Sequence, residues 1–98
     1  MPITAMLDLT LLTASGPDAL TVLRDTLRAT RAFPGCLEVE ILLDAEDATH
    51  VVVFERWESL ASDDAYRAWR TTPDGASQLG TVLAAPPRLT RFTTAADD

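Results

Sequence analysis

The stretch from His50 to Trp57, His-Val-Val-Val-Phe-Glu-Arg-Trp, constrains the fold more than any other part of the chain. Its β-branched and aromatic content marks it as a strand. Val51, Val52, Val53 and Phe54 put apolar side chains on both alternating faces. Such a strand must be covered front and back.

The neighbouring segments supply one of those covers. Ile3 to Leu12 alternates as a second strand, with Ile3, Ala5, Leu7, Leu9 and Leu11 on one face and Thr4, Met6, Asp8, Thr10 and Leu12 on the other. Ala14-Ser15-Gly16-Pro17-Asp18 opens a helix: Ser15 or Gly16 can cap it, Pro17 suits the first turn, and Asp18 meets the positive helix end. That helix runs to about Arg31, with Leu20, Leu23 and Leu27 on one face and Arg24, Asp25 and Arg28 on the wet side. Phe33-Pro34-Gly35 turns the chain into a strand, Cys36 to Leu43, whose alternation predicts Leu37, Val39, Ile41 and Leu43 on one face. Residues 44–49 form a polar hairpin loop. A second helix is expected from Ser62 or Asp63 to about Arg70, with Asp63 and Arg67 as an i, i+4 ion pair. Ala76 to Ala84 predicts a third short helix, stopped by Pro86-Pro87. Arg88 to Thr94 is the last strand, and Ala95 to Asp98 a frayed acidic tail.

The order β-α-β-β-α-(α)-β predicts a ferredoxin-like α+β domain, one antiparallel sheet with helices on one face. The chain of 98 residues reads as a single domain with an ordered core over about 3–94. The second sheet face is left bare and partly apolar, which calls for a partner. The simplest is a second copy, sheet to sheet, so a homodimer is expected.

Charge and cysteine content exclude several functions. The net charge is −7, and the eight basic residues are all arginines scattered along the chain. Nucleic acid and anionic membrane surfaces are therefore poor partners. No run of about 20 apolar residues offers a membrane span. With no leader pattern and the single Cys36, the expected setting is the cytoplasm. No His/Cys/carboxylate group has metal-ligand spacing and no glycine-rich phosphate loop exists, so neither metal nor cofactor is expected. A small aromatic or apolar molecule remains the expected ligand.

At Pro34-Gly35-Cys36, Phe54-Glu55-Arg56-Trp57-Glu58-Ser59 and Ala65-Tyr66-Arg67-Ala68-Trp69 the chain resembles the antibiotic biosynthesis monooxygenase superfamily. The resemblance implies a dimeric α+β barrel with a pocket between sheet and helices in each subunit. It also implies cofactor-independent oxygenation of an aromatic, quinol or polyketide-like compound with O₂. There, a base generates an electron-rich substrate anion, a donor steadies the oxyanion, and a dry cavity shelters both. A related branch degrades haem. This chain departs from both branches: it has no Asn, and its one histidine, His50, is not on the second helix. A binding or interaction module on the same scaffold, without catalysis, is the alternative.

Six residues are candidates for the site. Tyr66 and Trp69, at i and i+3, either line the pocket, with the Tyr66 hydroxyl as oxyanion donor, or pack the helix on the sheet. Trp57 and Phe54 are candidate substrate contacts, and Trp57 equally suits the core or a dimer interface. Glu55 is a carboxylate amid apolar neighbours: either a base, or an ion-pair partner of Arg56 or Arg91. His50 is a candidate base, or a solvated loop residue beside Asp47 and Thr49. Asp8 is expected to pair with Arg56 or Arg91, and Cys36 to act as a buried small hydrophobe.

Overall fold

The computed structural model describes residues 1–12 and 16–95. The Ser15 cap and residues 96–98 of the acidic tail lie outside the described residues. The elements are β1 (Ile3–Thr10), α1 (Gly16–Ala32), β2 (Cys36–Leu43), β3 (His50–Trp57), α2 (Leu60–Arg70), two 3₁₀ turns (Pro73–Gly75 and Leu79–Val82) and β4 (Arg88–Thr93). The strands form one antiparallel sheet in the order β2-β3-β1-β4. This is the ferredoxin-like α+β fold, with β3 and β1 in the middle.

Register decides which side chains meet. Ala5 lies opposite Glu55, Leu7 opposite Val53 and Leu9 opposite Val51. Val39 and Ile41 meet Glu55 and Val53 from the other side. This inner face packs under the helices around Leu9, Leu23, Leu27, Val51 and Val53, each at most 3% exposed. Full burial of such a side chain is worth roughly 1.5–3 kcal/mol, so this row carries much of the fold. A second, aromatic core joins Ile3, Ala5, Trp57 and Tyr66 with Phe33 and Trp69. There the Trp57 and Tyr66 ring centroids are 4.9 Å apart and Phe33 meets Tyr66 edge-on at 5.3 Å.

Three local expectations are corrected. A β-bulge between Cys36 and Glu38 sets Cys36 opposite Trp57 and leaves Leu37 exposed. One inserted residue inverts the alternation, so Leu37 leaves the face that Val39 and Ile41 share. Helix α2 starts at Leu60, because extended Ser59 is the cap and its Oγ accepts from Ser62 N at 3.1 Å. The third helix is absent. Within Ala76–Ala84 the only helical piece is the 3₁₀ turn Leu79–Val82, which contains Gly80, a poor helix former. The turn before β2 depends on Gly35, which has φ +90°; a Cβ there would strike the Ser62 side chain.

The outer sheet face carries Met6, Val52 and Phe54, with Leu42 and Phe92 exposed beside them. Glu38 and Glu40 mark its β2 margin and Arg88 its β4 margin.

Candidate active site

Below the helices, a pocket of about 300 Å³ opens between the sheet, both helices and the 73–87 segment. Its apolar wall includes Leu7, Leu23, Leu27 and Leu83, and its polar lining is Glu55, Tyr66, Arg67 and Arg70 with the hydroxyl residues Thr26 and Ser77. The inward register of β3 delivers Glu55, while one side of α2 delivers Tyr66, Arg67 and Arg70.

Glu55 is 1% exposed, so its charge needs compensation. Its Oε1 accepts from Arg67 Nη2 at 2.6 Å and from Trp57 Nε1 at 3.0 Å. Oε2 makes neither bond. The expected partners Arg56 and Arg91 are not used. Arg56 stands on the outer face, and Arg91 binds Asp64 at 2.6 Å and Asp63 at 3.5 Å. The expected Asp63–Arg67 pair is present, with Arg67 Nε 2.9 Å from Asp63 Oδ1. Those two atoms approach without hydrogen-bond alignment, so charge rather than direction holds them. Arg67 is thus shared by two buried carboxylates, one of which, Asp63, Arg91 also approaches.

Tyr66 is tied down at its tip. Its hydroxyl lies 2.6 Å from Thr30 Oγ1 and accepts from Arg70 Nε at 2.8 Å. Arg70 also donates to the carbonyls of Thr26 (2.7 Å) and Gly75 (3.2 Å) and to Thr30 Oγ1 (3.0 Å). This knot binds α2 to α1 and to the first 3₁₀ turn. The Arg67 and Arg70 guanidinium carbons lie 4.8 and 5.1 Å from the Tyr66 ring centroid, at cation–π distance.

Of the residues expected from sequence, Glu55 and Tyr66 reach the pocket. Trp57 is fully buried behind it and supports Glu55 through its indole N–H. Trp69 packs against Phe33 at 5.5 Å and under Arg70 at 4.9 Å, so it backs the wall without lining it. Gly75 fits against it: a Cβ there would fall on the Trp69 carbonyl. Phe54 and His50 belong to the outer face, because the period of two that turns Glu55 inward turns them outward.

His50 is partly exposed and opens β3, rather than standing free in the hairpin loop. Its Nδ1 is 2.7 Å from Asp44 Oδ2 and its Nε2 3.0 Å from Asp8 Oδ1. These two carboxylates, Asp44 first, raise the imidazole pKa, and His50 in turn lowers that of Asp44. Asp8 therefore pairs with His50, not with Arg56 or Arg91. Cys36 is half-buried, and that burial pushes its thiol pKa up, as expected of a small hydrophobe.

Sequence reasoning missed Arg67 and Arg70 as site residues. Their signal was the i, i+4 spacing of Arg70 from Tyr66 and of Arg67 from Asp63. Haem does not fit this pocket: its lining contains no histidine, and His50 is on the far side of the sheet. Among the described residues no group of three or more His, Cys, Asp or Glu is arranged to hold a metal ion. No helix there is long and apolar enough to cross a membrane.

The ferredoxin-like α+β fold places the chain in a class of small proteins that several solved structures share. Rv0793 from Mycobacterium tuberculosis is 27% identical, covers 99% of this chain and 98% of its own, and superposes with a TM-score of 0.69. SnoaB, a cofactor-independent oxygenase from Streptomyces nogalater, is 18% identical over 96% of this chain and 93% of its own, with a TM-score of 0.78. A conserved protein from Methanosarcina mazei Go1 is 11% identical over 97% and 94%, with a TM-score of 0.81. No curated protein matches the chain. The antibiotic biosynthesis monooxygenase family model matches residues 2–75, and the chain belongs to that family.

Proposed function

We propose that this protein is a cofactor-independent monooxygenase whose substrate, a hydroxyaromatic or quinol-type molecule, binds in the pocket over Glu55. One observation carries this reading. A buried carboxylate with an arginine at 2.6 Å lines an otherwise largely apolar hollow. Glu55 Oε2 accepts the substrate hydroxyl proton. Arg67, which reaches Glu55 through Nη2, steadies the resulting anion. The apolar wall keeps water from the anion while it reacts with O₂.

The outer face is covered by a second copy. Its apolar centre (Met6, Val52, Phe54) needs cover. A two-fold axis along the strands lays β2 of one copy over β4 of the other, with Arg88 level with Leu42 and one residue pair from Glu40.

Oxygen uptake with a panel of quinols and anthrones tests the activity. Uptake should appear with at least one compound and fall at least 100-fold in Glu55→Gln, the usual contribution of a general base being about 10²–10⁴-fold. Absence of uptake with every compound, or an unchanged Glu55→Gln rate, refutes it. Binding without turnover is the second reading. It is favoured by the Tyr66 hydroxyl, whose partners Thr30 and Arg70 leave it little capacity for an oxyanion.

A further inference from the structure

We propose that the Asp44–His50–Asp8 cluster makes the face-to-face pairing of two copies depend on pH, tightening it in mildly acid solution and loosening it in mildly alkaline solution. This device rests on the two-copy reading given above and is independent of the pocket chemistry.

The geometry calls for a charged ring. Both ring nitrogens of His50 face carboxylates, Asp44 Oδ2 at 2.7 Å and Asp8 Oδ1 at 3.0 Å. An ionised carboxylate only accepts, and a neutral imidazole has one N–H and one acceptor nitrogen. Both contacts are therefore hydrogen bonds only when the ring carries two protons. Losing either proton sets a nitrogen lone pair against an oxygen lone pair and breaks one contact. The clasp spans three strands: Asp8 belongs to β1, His50 opens β3, and Asp44 directly follows β2. Asp44 N also donates to His50 O at 3.1 Å, so the clasp sits where the hairpin closes. The carboxylates, Asp44 first, lift the imidazole pKa above its usual 6.5, so the ring changes state above that pH.

The cluster stands at one end of the outer face. There His50 is level with Thr10, and Asp8 is level with Val52 and Arg88. A two-fold axis along the strands keeps these levels and exchanges β3 with β1. It sets His50 of one copy over Thr10 of the other, with the second cluster one strand across. Packed sheets are about 10 Å apart and strands about 4.8 Å, so the two His50 backbones stand roughly 11 Å apart and their side chains closer. That is comparable with the Debye length of about 10 Å at 0.1 M salt. With His50 charged, each cluster of one cation and two carboxylates carries a net single negative charge; with His50 neutral it carries two. The other charged groups facing the cluster are Asp47 from the hairpin and Arg88 from β4, opposite in sign and constant in both states. The product of the two cluster charges therefore rises fourfold on deprotonation, in a gap that pairing partly dries. Each negative cluster favours the proton on the other, so two copies together hold their protons more tightly than two apart.

Sedimentation equilibrium of the full chain at about pH 6 and about pH 9, at one ionic strength, reads the dimer Kd. The wild type should dimerise at least about 10-fold more weakly at the higher pH. His50 is the only histidine, and His50→Gln should bring that ratio below about 3-fold. Asp8→Asn is the sharper variant. A neutral ring can then donate from Nδ1 to Asp44 and accept at Nε2 from the amide that replaces the carboxylate, so both contacts survive deprotonation and the ratio should again fall below about 3-fold. The Asp8 side chain is 50% exposed, so this variant should keep the wild-type circular dichroism and decides the matter even if His50→Gln folds poorly. An equal wild-type Kd at the two pH values overturns the switch and leaves the dimer standing. So does a full pH ratio retained by Asp8→Asn. A monomer at both pH values overturns the two-copy reading and the switch with it.

Discussion

Replacing Arg67 with Met should destabilise the protein far more than loss of a partly exposed side chain suggests. Arg67 is 25% exposed, while its partners Glu55 and Asp63 are 1% and 0% exposed. Methionine keeps the aliphatic bulk and removes the cation. Removing one partner of a buried pair costs about 3–5 kcal/mol, because the stranded charge stays out of water. Two carboxylates are affected here, but Arg91 remains 3.5 Å from Asp63 and water reaches the Arg67 site, so the lower end, about 3 kcal/mol, applies. A domain of this size is stable by roughly 5–15 kcal/mol, and such a loss lowers Tm by roughly 12–24 °C. Urea denaturation followed by circular dichroism measures it. The decisive comparison is Arg67→Met with and without Glu55→Met. Removing the stranded carboxylate should recover at least half of the loss. A single-variant cost below about 1 kcal/mol, or a double variant as unstable as the sum of the singles, would refute the view that Arg67 exists to neutralise buried acids.

Further outcomes follow from the same geometry. The raised His50 pKa adds stability that is complete below the unfolded value of 6.5 and fades as pH rises through the higher folded value. His50→Gln should therefore lower stability more at pH 5.5 than at pH 9, and equal losses in urea titrations at both would contradict the Asp44–His50–Asp8 arrangement. Gly75→Ala should lower Tm by several degrees and push the 73–75 turn off α2, since its methyl group falls on the Trp69 carbonyl; an unchanged melt would show that the turn can shift freely. Phe54→Glu should turn a sheet-to-sheet dimer into a folded monomer in sedimentation velocity. An undisturbed dimer would place the interface elsewhere.

Much of the fold was legible because it rests on periodicity. The alternation in β1 grouped the residues that the structure buries, and the Leu23–Leu27 stripe gave the buried side of α1, whereas β3, apolar on both faces, left its inner face undecided. What failed depended on contacts between distant segments or on single insertions. Period-two counting cannot see the bulge that expels Leu37. Glu55 was legible as a carboxylate in need of a partner, but its partner lies on α2, 12 residues away, and no local pattern marks it. His50 looked solvated because its neighbours in sequence are polar, while one of its two carboxylates, Asp8, comes from another strand, 42 residues away. Phe54 shows the limit of reading residue type alone: an aromatic one position from Glu55 is on the other side of the sheet.

The Tyr66–Thr30–Arg70 knot has a consequence for traffic. Because it fastens the two long helices to each other, they cannot part to admit a molecule without breaking several bonds at once. The remaining wall, from Gly75 through Pro87, is mostly exposed and is joined to the end of β1 near Leu11 and Leu83. The segment from Gly75 to Pro87 is therefore the side of the hollow held by the fewest bonds to the helices, and the seam between the helices the side held by the most.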